Sequence, residues 1–237
     1  MRVAWPLTSL HIPTMLSDRV IFIDAEAMVL DKPAGLPVTQ VRDGTLSIEN
    51  YLDSLRFGFQ RQPSVVHRLD RDTSGCLLLA RNPKAHKRFA AAFEAGVVEK
   101  LYWAVVAGVP EAREGMIDLA LAKVSTRESG WRIVPDPKGK PARTRWSLIA
   151  VGAGSALIAF APETGRTHQI RVHAAEGLGL PIVGDPVYGA PGRAMLLHAR
   201  SLIVPRPGKE AVSVVAALPP SFAEAGFSAA GMAGAEA

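Results

Sequence analysis

The chain is predicted to adopt an α+β fold, a mixed and largely antiparallel sheet with helices on its faces. Short apolar runs with strand character outnumber stretches of helical period. Several of these runs follow one another across turn-sized gaps, as antiparallel neighbours do and parallel crossovers do not. No internal repeat and no linker divides the sequence, so one globular unit is expected over residues 20–222.

The elements can be read in order. Residues 1–19 have no period and read as an irregular arm. Val20-Ile21-Phe22-Ile23 reads as a strand, Asp24 to Ala27 as a turn and Met28-Val29-Leu30 as a second strand. Pro33, Gly35 and Pro37 hold the next segment in a non-helical path. Cys76 to Ala80 is a continuous apolar run, the pattern of a buried strand. Asn82-Pro83 supplies an N-cap and a first-turn proline for a helix that Gly96 ends. Val97 to Val106 reads as a long strand with Lys100, Tyr102, Ala104 and Val106 on one face. Short strands and turns follow from Gly115 to Ala150, then a strand at Ala156 to Ala161. Thr167 is placed to cap a helix running to Glu176 and stopping at Gly177. The alanine- and glycine-rich stretch 223–237 reads as a disordered tail.

At 237 residues the chain can bury a sizeable core, and its 48% hydrophobic and 21% charged residues are those of an ordinary soluble domain. No apolar stretch approaches a membrane span, and Met1 to Pro13 lacks the layout of a signal peptide, so a cytoplasmic protein without membrane partners is expected. The single cysteine, Cys76, excludes an internal disulfide and a cysteine-rich zinc site. A net charge of +5 is compatible with a nucleic-acid partner but does not establish one.

The densest chemistry lies in Val66-His67-Arg68-Leu69-Asp70-Arg71-Asp72-Thr73-Ser74-Gly75. If Val65 to Asp70 is extended, Arg68 and Asp70 point the same way. A carboxylate beside a guanidinium stays ionised, which suits Asp70 to act as nucleophile or base rather than acid. Thr73-Ser74-Gly75 reads as a tight turn with Gly75 free to take positive φ. On this motif alone, a surface strand end with solvated charges is an equally good reading.

The run resembles the HRLDxxTSG signature of RluA-type RNA pseudouridine synthases, and further segments match in order. Leu30-Asp31-Lys32-Pro33-Ala34-Gly35-Leu36-Pro37-Val38 resembles that family's KPxGLxV segment. Lys100-Leu101-Tyr102-Trp103-Ala104-Val105-Val106-Ala107-Gly108 resembles its KxYxAxVxG strand. Thr164 to His173 (TGRTHQIRVH) and Gly184 to Gly189 (GDPVYG) resemble its TGRTHQIRxH and GDxxYG segments. The resemblance runs from about Ile21 to about Pro207, and the order and spacing of several long motifs make it far more specific than one pattern.

What the resemblance implies is a pseudouridine synthase catalytic fold in two sheet-bearing halves with a central cleft. Asp70 aligns with the catalytic aspartate, Arg166 with an arginine that pairs with it and Tyr102 with an active-site tyrosine whose ring can stack on uracil and whose hydroxyl can assist proton removal from C5. Arg68 resembles the residue that occupies the gap left by a flipped base, Ile170 an apolar pocket wall, and Lys32 and His67 complete the substrate-binding set, with the Lys32-Pro33 segment read as shaping and supporting the cleft rather than doing chemistry and Gly184 to Gly189 as a turn that braces the site. Each has a plainer reading. Asp70 reads also as a structural ion-pair partner, Arg166 as a solvated arginine, Arg68 as a phosphate contact, and Tyr102 and Ile170 as core. Asp72 reads as a solvated acid or a cap.

The reaction so implied is an isomerisation, which needs no cofactor. The expected partner is RNA, a tRNA stem-loop or an rRNA hairpin, rather than DNA, bound by a monomer. His67, His168 and His173 lack metal-ligand spacing and acidic partners, so no metal site is expected. Gly152-Ala153-Gly154 lacks the rest of a dinucleotide fingerprint, and Cys76 in its apolar run is no nucleophile. Two other classes compete. A non-catalytic RNA-binding factor has no need of Asp70, Arg166 and Tyr102 together. A nucleoside hydrolase wants a second carboxylate, for which Asp72 is the only nearby candidate. One departure from the family follows Leu197-His198-Ala199, where Val204-Pro205-Arg206-Pro207 stands in place of a His-Pro pair and bears on local packing.

Overall fold

A computed structural model describes residues 16–41, 44–126 and 130–228; the rest of the expected arm (1–15) and tail (229–237) lies outside the described residues. A single 3-10 turn, Leu16–Arg19, leads into β1 (Val20–Ile23) and β2 (Ala27–Lys32). The β1–β2 turn is held by Asp24, whose Oδ1 accepts the N–H of Glu26 at 2.8 Å and of Ala27 at 2.7 Å. A 3-10 helix (Ile48–Leu55) precedes β3 (Ser64–Val65) and β4 (Ser74–Ala80), and α1 (Pro83–Glu94) follows. The Asn82 side chain caps α1 by accepting from Ala85 N at 2.9 Å, with Pro83 opening the first turn as expected.

The second half runs through β5 (Glu99–Ala107), β6 (Glu114–Asp118), β7 (Leu121–Thr126), β8 (Gly130–Pro135), β9 (Arg143–Gly152) and β10 (Ser155–Pro162). Then come α2 (Gln169–Val172), which widens into a π turn at His173–Gly177, β11 (Leu197–Arg206), β12 (Lys209–Val215) and α3 (Pro220–Glu224). Among the described residues the main sheet has ten strands, in order β1-β2-β4-β11-β5-β10-β9-β6, with β3 added to β4 and β12 to β11. β7 and β8 form a separate hairpin. Every pairing among the described strands is antiparallel except β4 with β11, so the sheet is mixed and mostly antiparallel as predicted.

That parallel pairing is the seam between two halves. It spans only His198↔Ser74 and Ala199↔Gly75. Gly75 has φ 101°, and a Cβ there would lie 2.3 Å from the Ala199 carbonyl oxygen, so only glycine lets the strands meet. On one side β2 and β4 pack on α1 and the 3-10 helix through Leu30, Leu77, Leu79, Phe89 and Leu55, all fully buried. On the other side Phe160, Ile158 and Ala104 of β10 and β5 pack under Ile170 and Ala174. Burial of the large side chains, each contributing about 1.5–3 kcal/mol, supplies the driving force on both sides of the seam.

Several local expectations differ from the structure. The extended segment covers only Ser64–Val65, so Asp70 is not on a strand. It instead opens a turn closed by Thr73 N–H donating to the Asp70 carbonyl at 3.1 Å, while Ser74 and Gly75 already belong to β4. Thr167 does not cap α2. His168 holds that position at φ 53°, and the helix passes into the π turn instead of continuing regularly to Glu176. The segment after residue 222 is not all tail, since Phe227 packs beside Phe222, Trp103 and Leu157. Among the described residues no helix is long and apolar enough to cross a membrane.

Candidate active site

The two halves diverge above the seam and leave a cleft of about 600 Å³. Its walls come from the turn around Asp70, from β5 and from the segment that enters α2. Each wall brings residues the sequence singled out. β5 presents Lys100 and Tyr102 on alternate positions of one face. The Asp70 turn presents Arg68 and Asp70, and α2 presents Ile170 and Arg171.

The Asp70 turn is fastened from beneath. Lys32 is fully buried, and its ammonium donates to the carbonyls of Pro33 at 2.8 Å, Leu36 at 2.7 Å and Arg71 at 2.9 Å. These three acceptors use all three ammonium protons. Gly35 N–H also donates to Arg71 O at 2.9 Å, so the loop after β2 and the Asp70 turn form one unit. Burial pushes the Lys32 ammonium down to about 7, with Asp72, Asp70 and Asp31 pulling the other way. Lys32 therefore has no face toward the cleft. Its place among substrate-binding residues is corrected, while its contacts fit the other expectation for the Lys32-Pro33 segment, a support that shapes the cleft, here through the turn that carries Asp70.

The arginine that meets Asp70 is Arg171, not Arg166. Arg171 Nη1 donates to Asp70 Oδ2 at 3.3 Å. Arg166 is exposed, and its Nε donates to the Pro141 carbonyl at 3.0 Å, at the mouth of the cleft. The reason is local geometry. Arg166 precedes α2, whose N-terminal approach is held by Gln169: its Oε1 accepts from Arg166 N–H at 2.9 Å and from the Thr164 hydroxyl at 2.7 Å. Arg171 lies inside the helix, on the turn that faces Asp70.

Arg171 is itself oriented from behind. Its Nε and Nη2 donate to Asp185 Oδ2 and Oδ1, both at 2.7 Å, in a bidentate fork. Asp185 is fully buried and also accepts the N–H groups of Val187 at 2.8 Å and Tyr188 at 3.1 Å. Burial opposes the charge on both partners. The pairing more than offsets this, holding the Asp185 carboxyl below its ordinary range and the Arg171 guanidinium above its own. The Gly184–Gly189 segment thus braces the site through Asp185 and Tyr188.

Tyr102 is half-buried in the cleft wall, and burial together with the negative charge of Asp70 raises its hydroxyl, which keeps its proton at neutral pH. His67 also lines the cleft. Its Nε2 accepts from Leu78 N–H at 2.9 Å, its ring stacks on Phe93 at 4.5 Å, and burial keeps it neutral, at about 3. With Nε2 as acceptor, the ring proton is on Nδ1. Ile170 is buried and lines the cleft between Tyr102 and the second core. Burial pushes the Cys76 thiol up to about 12, in keeping with an inert residue.

Sequence reasoning missed Arg171, Asp185, His168 and Tyr188. The signal for Arg171 was present: an arginine between Ile170 and Val172, in a run otherwise fit for burial, needs a carboxylate partner. Nothing in the sequence indicates that Asp70 and Asp185, from opposite halves of the chain, share it. In chemical terms, the cleft offers the Asp70 carboxylate, a buried cation behind it, one protonated phenol, and further charges of both signs in Arg68, Lys100, Arg166, Glu94 and Glu163.

Comparison with known proteins gives a consistent result. A family model described as RNA pseudouridylate synthase matches residues 26–176. The chain is 62% identical over 217 residues to an RNA pseudouridine synthase of Zymomonas mobilis subsp. mobilis, covering 90% of this chain and 99% of that protein. It is 35% identical over 199 residues to the ribosomal large subunit pseudouridine synthase D of the same organism, covering 79% of this chain and 61% of that one. Among solved structures it is similar to human RNA pseudouridylate synthase domain containing 4, with TM-score 0.74 and 27% identity, covering 88% of this chain and 91% of that one.

Proposed function

We propose, from the premise that this chain belongs to the RNA pseudouridylate synthase family and isomerises uridine to pseudouridine in RNA, that Asp70 carries the chemistry with Arg171 as its orienting partner. The observation that bears most weight is the arrangement Asp70–Arg171–Asp185. A carboxylate at the cleft surface is aimed by a guanidinium that is fixed from behind by a second, fully buried carboxylate.

A uridine turned out of its stack enters the cleft, whose volume lies within the range typical of small-ligand sites. The Tyr102 ring lies against the uracil face, with Ile170 as apolar wall. Asp70 then acts by one of two routes. It attacks ribose C1′ while the N1–C1′ bond breaks and its electrons pass to the uracil, or it takes a ribose C2′ proton while the same bond breaks to uracil and C1′ and C2′ form the double bond of a glycal. In either route the uracil turns and C5 bonds to C1′, as the Asp70–C1′ ester bond breaks in the first route or as Asp70 returns the proton to C2′ in the second; the C5 proton is then lost and N1 gains a proton. Atoms and electrons balance within the nucleotide and the solvent. Arg171 orients the Asp70 carboxylate for the first step. Tyr102, protonated at neutral pH, serves as a stacking ring and hydrogen-bond donor rather than as a phenolate base.

In this reading Arg68 fills the gap the flipped base leaves and Arg166 meets a phosphate; what supports it is that both are exposed and line the cleft. All of these groups come from one chain, so a monomer suffices. The substrate we assign is a folded stem-loop of tRNA or rRNA, read by shape and by splayed bases. The test is tritium release from C5-labelled uridine in such transcripts. Asp70→Asn is expected to abolish release while leaving the fold and RNA affinity nearly unchanged, because the carboxylate contributes to reaction more than to ground-state binding. Turnover near wild type in that variant would refute the assignment.

A further inference from the structure

His168 is the strained residue of the cleft. It sits at φ 53°, in the left-handed region, immediately before α2. Strain of that kind persists when the surroundings over-determine the residue. Here the imidazole is held on three sides. Nδ1 lies 3.0 Å from the Tyr188 hydroxyl, the ring is tilted against Trp131 of β8 at 5.0 Å, and it meets the Tyr188 ring edge-on at 5.6 Å. Its remaining nitrogen, Nε2, points at Asp70, 3.8 Å from the same Oδ2 that Arg171 holds.

We propose that His168 is a positioning residue for Asp70, and that Tyr188 sets its tautomer so that an Nε2 proton, not a lone pair, faces the carboxylate. The inference rests on the assignment of Asp70 above. Two arguments fix the tautomer. The Tyr188 oxygen accepts the N–H of Ile133 at 2.9 Å, which leaves its own proton to be donated, and Nδ1 is the acceptor beside it. In the opposite tautomer an Nε2 lone pair would face a carboxylate, which is repulsive. Burial lowers the His168 pKa, with Asp70 and Arg171 acting in opposite senses, so the ring is neutral and its tautomer matters. The relay therefore runs from the Ile133 N–H of the β7–β8 hairpin, through Tyr188 and His168, to Asp70. At 3.8 Å the last link is longer than a hydrogen bond. A small shift on substrate binding closes it, as is common when a catalytic carboxylate engages its substrate.

Asparagine and glutamine separate the two ends of the imidazole. In His168→Asn the side chain is short, so its carbonyl replaces Nδ1 as acceptor for Tyr188. Asparagine also tolerates the left-handed backbone, yet it reaches nothing near Asp70. The longer side chain of His168→Gln places an amide donor where Nε2 was. The single-turnover rate at saturating enzyme and the RNA affinity are measured for both, with thermal melts to check folding. His168→Asn is expected to lose rate roughly tenfold or more with affinity little changed, and His168→Gln to recover a substantial part. Tyr188→Phe should slow the wild-type enzyme but add no rate defect to His168→Gln, which has no tautomer to set. Wild-type rates in His168→Asn, no recovery in His168→Gln, or equal effects of Tyr188→Phe in both backgrounds would overturn the inference. These outcomes are independent of the assignment of Asp70, which falls only if Asp70→Asn remains active.

Discussion

Replacing Asp185 by asparagine keeps the shape of a fully buried side chain and removes half of an ion pair. The structure sets the magnitude. Oδ1 accepts three bonds, from Arg171 Nη2, Val187 N–H and Tyr188 N–H, whereas Oδ2 accepts one, from Arg171 Nε. The asparagine amide therefore keeps its oxygen at the Oδ1 position and turns its NH₂ toward Arg171 Nε, donor against donor. Breaking a buried pair at one partner typically costs about 3–5 kcal/mol. Arg171 retains Asp70 as a partner at 3.3 Å, which places the expected loss at the lower end, about 3 kcal/mol. With a urea m-value of roughly 2–3 kcal/mol/M for a domain of this size, the unfolding midpoint should fall by about 1 M. The single-turnover rate should fall as well, because the guanidinium that aims Asp70 has lost its support. The pair Arg171→Met with Asp185→Leu supplies the control: it leaves no unpaired buried charge, so stability should recover in part, short of wild type because the Val187 and Tyr188 N–H groups lose their acceptor, while activity does not recover. A midpoint and rate both unchanged in Asp185→Asn would refute the claim that this buried pair orients the site.

Two further predictions test the scaffold. Lys32→Met should leave the Pro33 and Leu36 carbonyls without the ammonium donor, at about 1 kcal/mol or more each, and loosen the Asp70 turn, whose Arg71 carbonyl keeps the Gly35 N–H; activity should then fall and proteolysis near residues 33–37 and 70–73 should rise, and an unchanged digestion pattern would contradict that role. Stability should also decrease as pH falls below about 6.5. Burial holds His67 and His198 neutral, at about 3 and about 4 against an ordinary 6.5, so the unfolded chain takes up protons that the folded chain refuses. Fully buried His198 contributes on the order of 3 kcal/mol by the time pH reaches its folded value. Asp185 acts with the same sign at lower pH, since its carboxyl is depressed and its stabilisation is lost as it protonates. Urea midpoints that stay flat or rise between neutral and about pH 5 would refute this prediction.

Much of the fold was legible because its signals are local. The Asn82-Pro83 start of α1, the apolar run of β4, the alternating face of β5 and the β1–β2 hairpin each depend on neighbours within a few residues. Asp70, Tyr102, Arg68, Ile170 and His67 were likewise visible in motifs, and all five line the cleft. Tertiary structure alone decided what depends on distant partners. Gly75 looked like a turn glycine, but its position is dictated by the Ala199 backbone at the seam. Lys32 looked like a substrate contact, but three carbonyls of two separate loops consume its protons. Arg166 and Arg171 are both arginines of one motif, and only the path of the chain into α2 determines which reaches Asp70. The sequence by itself determined which residue types would meet and on which elements. Which arginine pairs with which carboxylate, and which proton faces Asp70, follow from contacts between segments as much as 101 residues apart, whose pairing leaves no periodic trace in the chain.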